Sequence, residues 1–468
     1  MKFSIVQYFK VFVFALAIYF LIKNNVTGLI YTLFFLLAAV SINLLKSTFY
    51  KGACFALLFS VFAGYFLRPL ILVDHPELFM YQKISSAADI DTVNRSLNYA
   101  LISTVCIVAG FTATIKFVPD KIPVDKKTTD FLMDNFLVIN SMIIALTILR
   151  LALSFYSGVG IKGDIDRDTT YGSFYRLLSP DMSFVVYYIY LKKYWRRLSI
   201  PGRFTVVSMI LLTSYSIFIT GSKTFIALFA LCFFFNFIYR NVKIKLSSFV
   251  ILTGAGLVLL SFSFIMAVAI KFSTQKNINA VIDKAKTIAN EHTFLTIGDD
   301  ITQRMMGLDG QIASYIIASQ HNLNAKYVLE ESYSGRQIFL QTLNSIIPKI
   351  QFTYEPNSAK IVSEYLVGFS AEKKHAGSLG LFAAVYFMTG HYFFIFNIAL
   401  GIVLAFYFIF TRRLKNDDLR FILYFIGCYF ILRLTLSGNF DIVLGEFVVE
   451  WIILYIYIKV ITAIKYKK

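Results

Sequence analysis

Arg433 is the residue least at home in its surroundings. It lies a few residues from one end of the apolar stretch Leu419 to Ser437, and an ionisable group at such depth marks a functional site by default. The structural alternative is snorkelling to headgroups or pairing with Asp441 or Glu446. A second basic position, Lys223, sits in the tight turn Thr220-Gly221-Ser222-Lys223-Thr224. Backbone donors after a Gly turn, together with a lysine, favour an anion, although a plain hairpin turn meeting lipid phosphate has the same composition. Arg167 and Arg176 flank a third polar stretch, and Arg304 and Arg336 a fourth. Guanidinium groups grip phosphate with two parallel hydrogen bonds. Proton transfer falls to Glu364 and His375, which with Lys373 and Lys374 lie at the end of the long segment Lys271 to Ala376. A lone loop histidine is more often simply solvated. Cations and one or two acid/base groups suit a substrate with a phosphate or diphosphate and a polar head.

Gly163-Asp164-Ile165-Asp166-Arg167-Asp168 alternates carboxylates. A calcium loop needs Gly at its sixth position and an acid at its twelfth, and those places hold Thr169 and Tyr175. A solvated loop and a looser metal site are the readings left for it.

The elements that must position these groups are membrane helices. Of the 468 residues 57% are hydrophobic and only 15% charged, with 49 Phe and 29 Tyr, and the mean hydropathy is +0.67. A water-soluble fold cannot hide that much apolar surface, and the aromatics suit belts at the headgroups. About 20 apolar residues cross the hydrocarbon. Spans are expected at Ile5 to Ile22, Gly28 to Leu45, Ala53 to Leu67, Tyr99 to Phe117, Phe131 to Leu153 and Met182 to Leu191. Others are expected at Phe204 to Thr220, Thr224 to Tyr239, Leu246 to Ile270, His391 to Phe410, Leu419 to Ser437 and Ile442 to Ile464. The result is an all-α, polytopic integral membrane protein of about 12 spans, the Met182 segment being short for its role.

The net charge of +18 would suggest nucleic acid in a soluble chain. Here the basic residues cluster in alternate short loops: Lys116 to Lys127, Lys192 to Arg203, Arg240 to Lys245, Arg412 to Arg420, and Lys465 to Lys468. Excess Lys and Arg mark the cytoplasmic side, which puts both termini inside and removes any need for a nucleic-acid partner. Arg68 to Asn98, Ser154 to Asp181 and Lys271 to Ala376 then face outward, the last as a helical subdomain. The chain divides into a first transmembrane region (1–270), this extracytoplasmic loop (271–376), and an interfacial helix with the last three spans (377–468).

Cys54, Cys106, Cys232 and Cys428 fall inside spans with no metal or disulfide spacing. No phosphate-binding P-loop, zinc-protease or serine-hydrolase motif is present. The first helix lacks a cleavage site and is read as an anchor. No internal repeat is visible, which weakens a transporter built from inverted repeats.

In this plan the chain resembles the O-antigen and capsule repeat-unit polymerases (Wzy-type), which share an architecture with the O-antigen ligases. The likeness rests on the span plan with one large late loop and on the Thr220 to Thr224 turn, similar to the family's small-residue turn followed by a basic residue. It rests also on His375-Ala376-Gly377-Ser378-Leu379-Gly380, then Tyr386 and Gly390, then the span holding Asn397 and Gly401. That return is similar to a family segment in which a short outer-face helix precedes the next span, and it lets the apolar Gly377 to Thr389 stop short of a crossing.

The resemblance implies transfer of a glycan from undecaprenyl diphosphate to another lipid-linked repeat unit, without cofactor or metal. Arg433, Lys223, Arg304 and Arg336 would hold the diphosphate, with Arg167 and Arg176 nearby, and His375 or Glu364 would activate the acceptor hydroxyl. The partners implied are lipid-linked donor and acceptor glycans and membrane lipid, with room for a chain-length regulator. The location implied is the bacterial inner membrane. An O-antigen ligase differs only in acceptor, and a polysaccharide flippase or other transporter is the reading from a different class.

Overall fold

A computed structural model describes residues 2–66, 90–118, 130–157, 181–219, 224–272, 278–291 and 380–437, with scattered positions between 311 and 459. The chain opens with a short strand, β1 (Lys2–Ser4), and enters α1 (Ile5–Ile22) through a capping box. The Ser4 N–H donates to Gln7 Oε1 at 2.8 Å and the Gln7 N–H to Ser4 Oγ at 3.4 Å, so two otherwise orphaned donors are satisfied where water ends. After a tight turn, Asn25 caps α2 (Val26–Ser41) by accepting the Gly28 N–H. Then come α3 (Thr48–Val61), prolonged by a π-turn over Phe62–Phe66, and α4 (Ile90–Phe117). They are followed by α5 (Phe136–Ser157) and α6 (Asp181–Ile189), the latter also ending in a π-turn, Tyr190–Tyr194.

The second half holds α7 (Ile200–Ile219), α8 (Thr224–Tyr239), β2 (Lys243–Lys245), α9 (Leu246–Phe272) and α10 (Ile278–Glu291). Beyond residues 292–379 lie α11 (Leu381–Thr389), α12 (Phe393–Arg412) and α13 (Asp417–Ser437). Strands β1 and β2 pair antiparallel, a small departure from a purely helical chain.

Burial sorts the helices into layers. Nearly every side chain of α3 is buried, as are Phe184 to Tyr190 of α6 and Phe421 to Cys428 of α13, so these three form the centre. Val11, Phe12 and Phe14 of α1, Leu37 of α2, Leu211 of α7 and Val250 of α9 point outward, large and apolar. Such a surface needs lipid as its solvent. Six of the described helices are long and apolar enough to cross a membrane. Hydroxyls within the helices of the bundle donate to the preceding turn: Thr104, Thr147 and Thr435 each donate to the carbonyl four residues back.

Helices α4 and α12 meet most closely of all. A Cβ on Gly401 would fall against the Ile107 carbonyl, and one on Gly110 against the Ile398 carbonyl. Only glycine lets two backbones approach this way, a common device where lipid offers no hydrophobic driving force between helices.

Candidate functional site

Helix α13 sets the frame. Asn416 caps it by accepting the Asp418 and Leu419 N–H groups, and Asp417 and Asp418 occupy its first turn, where the helix dipole favours negative charge. These acids anchor one end of the bundle. Asp418, with a side chain 1% exposed, accepts from Lys193 Nζ at 2.7 Å, the Tyr194 hydroxyl at 2.7 Å and the Leu132 N–H at 3.3 Å. Asp130 accepts from Arg197 at 2.5 Å and from Tyr194 at 2.9 Å, and lies 3.3 Å from Lys193. The Arg197 guanidinium holds the Asp130 carboxyl below the usual carboxylate range, with Tyr194 and Lys193 acting the same way against desolvation. Asp417 takes Tyr239 at 3.0 Å and Arg240 at 3.1 Å. The π-turn at Tyr190–Tyr194 is what turns Tyr194 between the two carboxylates.

Arg433 lies sixteen positions along α13 from Asp417, which at 1.5 Å per residue is about 24 Å away. It is half-buried, and its guanidinium sits 5.8 Å from the centre of the Tyr429 ring, one turn below. At the same end, α11 lies between Gly380 and Gly390, both at positive φ. Its nine residues cover about 13 Å, well short of a crossing of about 30 Å. Leu381 to Val385 are buried, and α11 packs against α4, α12 and α13. The Phe382 N–H donates to the Tyr65 hydroxyl at 3.3 Å, and the rings of Tyr65 and Phe382 are 4.7 Å apart. Tyr65 itself belongs to the π-turn that ends α3. The Tyr99 ring lies tilted against Phe393, centroids 4.1 Å apart, and meets Tyr386 edge-on at 5.4 Å. Aromatic side chains thus gather with Arg433 at the end remote from the acid anchors.

Of the expected site residues, Arg433 alone is described. His375, Glu364, Lys223, Arg304, Arg336, Arg167 and Arg176 lie outside the described residues, as does the Asp164 to Asp168 loop. Arg150 was missed by the sequence reading. It sits half-buried in the apolar helix α5, and the rule that singled out Arg433 applies to it equally. Asn397 of α12 is a second omission: it is wholly buried and, among the described residues, neither amide atom has a hydrogen-bond partner, a costly arrangement in an apolar interior. The described residues contain no group of three or more His, Cys, Asp or Glu able to hold a metal. The four cysteines are free.

These features define a multi-pass helical membrane protein. Comparison with known protein families, with curated proteins and with solved structures finds no match.

Proposed function

We propose that this chain is a repeat-unit polymerase. It would join undecaprenyl-diphosphate-linked oligosaccharides at the extracytoplasmic face of a bacterial inner membrane. In this reading about twelve spans place both termini in the cytoplasm. The observation that carries it is the placing of Arg433: a half-buried guanidinium at the end of α13 farthest from the basic loops, in a helix against which the short buried α11 packs. A cation there suits the diphosphate of a lipid whose tail lies among helices and whose sugars project outward. Holding the diphosphate by arginine stabilises the charge that develops on the leaving group and needs no metal. Lys223, Arg304 and Arg336 would complete the grip, with Arg167 and Arg176 beside them. Glu364 or His375 would take the proton of the acceptor hydroxyl as its oxygen attacks the anomeric carbon and the diphosphate departs.

The test is the length distribution of surface polysaccharide in a strain lacking the chain. A single repeat unit on the lipid core is the expected result, with long chains restored by the native protein and not by Arg433→Ala at equal protein level. Absence of any glycan from an intact core would instead indicate a ligase. Lipid-linked units accumulating on the cytoplasmic face would indicate a flippase.

A further inference from the structure

At the end of the bundle held by Asp417 and Asp418, one corner collects lysines without acids. In the β1–β2 ribbon Lys2 stands opposite Lys245, and Ser4 opposite Lys243. Like charges directly across a ribbon destabilise it. Behind the ribbon, the first turns of α1 and α3 and the turn after α8 enclose a cavity of about 220 Å³. Lys10, Lys51, Lys243, Asn43, Asn241 and Thr48 supply much of its polar lining, and no acidic residue contributes. Lys10 and Lys51 repel one another there. Nearby, Lys193, Arg197 and Arg240 are matched by Asp130, Asp417 and Asp418. Among the described residues no ion pair involves Lys2, Lys10, Lys51, Lys243 or Lys245. Positive charge gathered this closely calls for an anion from outside the chain.

This cavity has an apolar neighbour. Ile5 and Phe237 line the cavity and also line an apolar groove of about 510 Å³, whose walls include Phe184 of α6, Ile210 of α7, Phe229 of α8 and Leu252 of α9. A basic chamber at the helix ends, beside an apolar groove between helices and sharing the Ile5 and Phe237 wall with it, is the complement of a phospholipid. A soluble phosphate would satisfy the lysines and leave the groove unused. We propose that the two cavities together bind one anionic phospholipid, its phosphate among Lys10, Lys51 and Lys243 and an acyl chain along α8 and α9. Basic pockets between membrane helices take anionic headgroups in this way.

The test uses the full chain, delipidated in neutral detergent and titrated with phosphatidylglycerol or phosphatidylcholine, with bound lipid read by native mass spectrometry. Phosphatidylglycerol should bind preferentially. Lys10→Gln with Lys51→Gln should weaken it about 20- to 30-fold, at about fivefold per lysine, and leave phosphatidylcholine unchanged. Gly256→Leu probes the groove independently. Gly256 lines it, and a Cβ there meets no atom within 4 Å, so a side chain can start from this position into the groove, and bulk added there competes with the tail. It too should weaken phosphatidylglycerol. Equal binding of the two lipids, or an unchanged affinity in the double lysine variant, would overturn the proposal. So would competition by inorganic phosphate combined with indifference to Gly256→Leu, which would assign the lysines to a soluble phosphate.

Discussion

Asp418→Ala removes the carboxylate on which three donors from two other segments converge. Its donors are Lys193 and Tyr194 at 2.7 Å each, and the Leu132 N–H at 3.3 Å. Hydrogen bonds to a charged group contribute about 1.5–3 kcal/mol each, so two short ones set an upper figure of about 3–6 kcal/mol. Both donors keep a second partner, however. Lys193 lies 3.3 Å from Asp130 and the Tyr194 hydroxyl 2.9 Å from it, and the Lys193 side chain is 30% exposed, so water screens what remains. The expected loss is therefore about 2–3 kcal/mol, below the ~3–5 kcal/mol of a charge left buried without a partner. Unfolding of the full chain in a single detergent at neutral pH measures it. A double-mutant cycle with Lys193→Met separates the ion pair from the rest, because removing both charges should cost less than the sum of the single changes. A stability for Asp418→Ala within about 0.5 kcal/mol of native, or strict additivity in the cycle, would refute the idea that this carboxylate pins α6 to α13.

At the α4–α12 crossing, Gly401→Val should destabilise by about 1–3 kcal/mol, since its neighbours are backbone atoms that cannot swing aside. Gly254→Ala, where a Cβ meets nothing, is the control and should leave unfolding unchanged or slightly delayed. Asp130 is held low by Arg197, so its stabilisation is present above the ordinary carboxylate value of about 4 and is lost as pH falls through the lower folded value. The stability gap between native protein and Asp130→Asn should therefore be full at neutral pH and close in acid. A gap that persists in acid would show that packing, not charge, sets it. Arg433→Lys should lose long-chain polysaccharide nearly as fully as Arg433→Ala, while both variants accumulate in the membrane.

The helices were the most legible part of the chain, because apolar length is a local property. Helices Ile5–Ile22 and Thr224–Tyr239 coincide with the limits expected for spans, and the first is one of the six described helices long and apolar enough to cross. Met182 to Leu191 is short for the span expected of it, and α6 with its π-turn covers fourteen residues, Asp181 to Tyr194. Its side chains from Phe184 to Tyr190 are buried by other helices, so the lipid-crossing length does not constrain it. The basic clusters were read as topological signals alone. In the structure Lys193, Arg197 and Arg240 also hold helices together, through acids as far as 225 residues away. Pairing at that separation leaves no local pattern, and the same holds for the β1–β2 ribbon. Arg150 is different, since a charge within an apolar run is a local signal, as plain there as at Arg433. Of the candidate site, the sequence alone carries the loop residues, and the structure adds what surrounds Arg433.

Why the lysine variant matters follows from the position of Arg433 on its own helix. A cation near the C-terminal end of α13, with two acids in its first turn, is favoured by the helix dipole whatever the chain does. Its aliphatic stem also covers apolar surface, and its charge sits over the Tyr429 ring. Each of these structural roles tolerates lysine, which keeps the charge and most of the stem. A diphosphate held in catalysis makes a stricter demand: two parallel N–H groups in one plane, which guanidinium offers and ammonium does not. Arg433→Ala disturbs both kinds of role at once and cannot tell them apart. Long chains made normally by Arg433→Lys would assign the residue to the fold, and their loss with the protein intact would assign it to the phosphate.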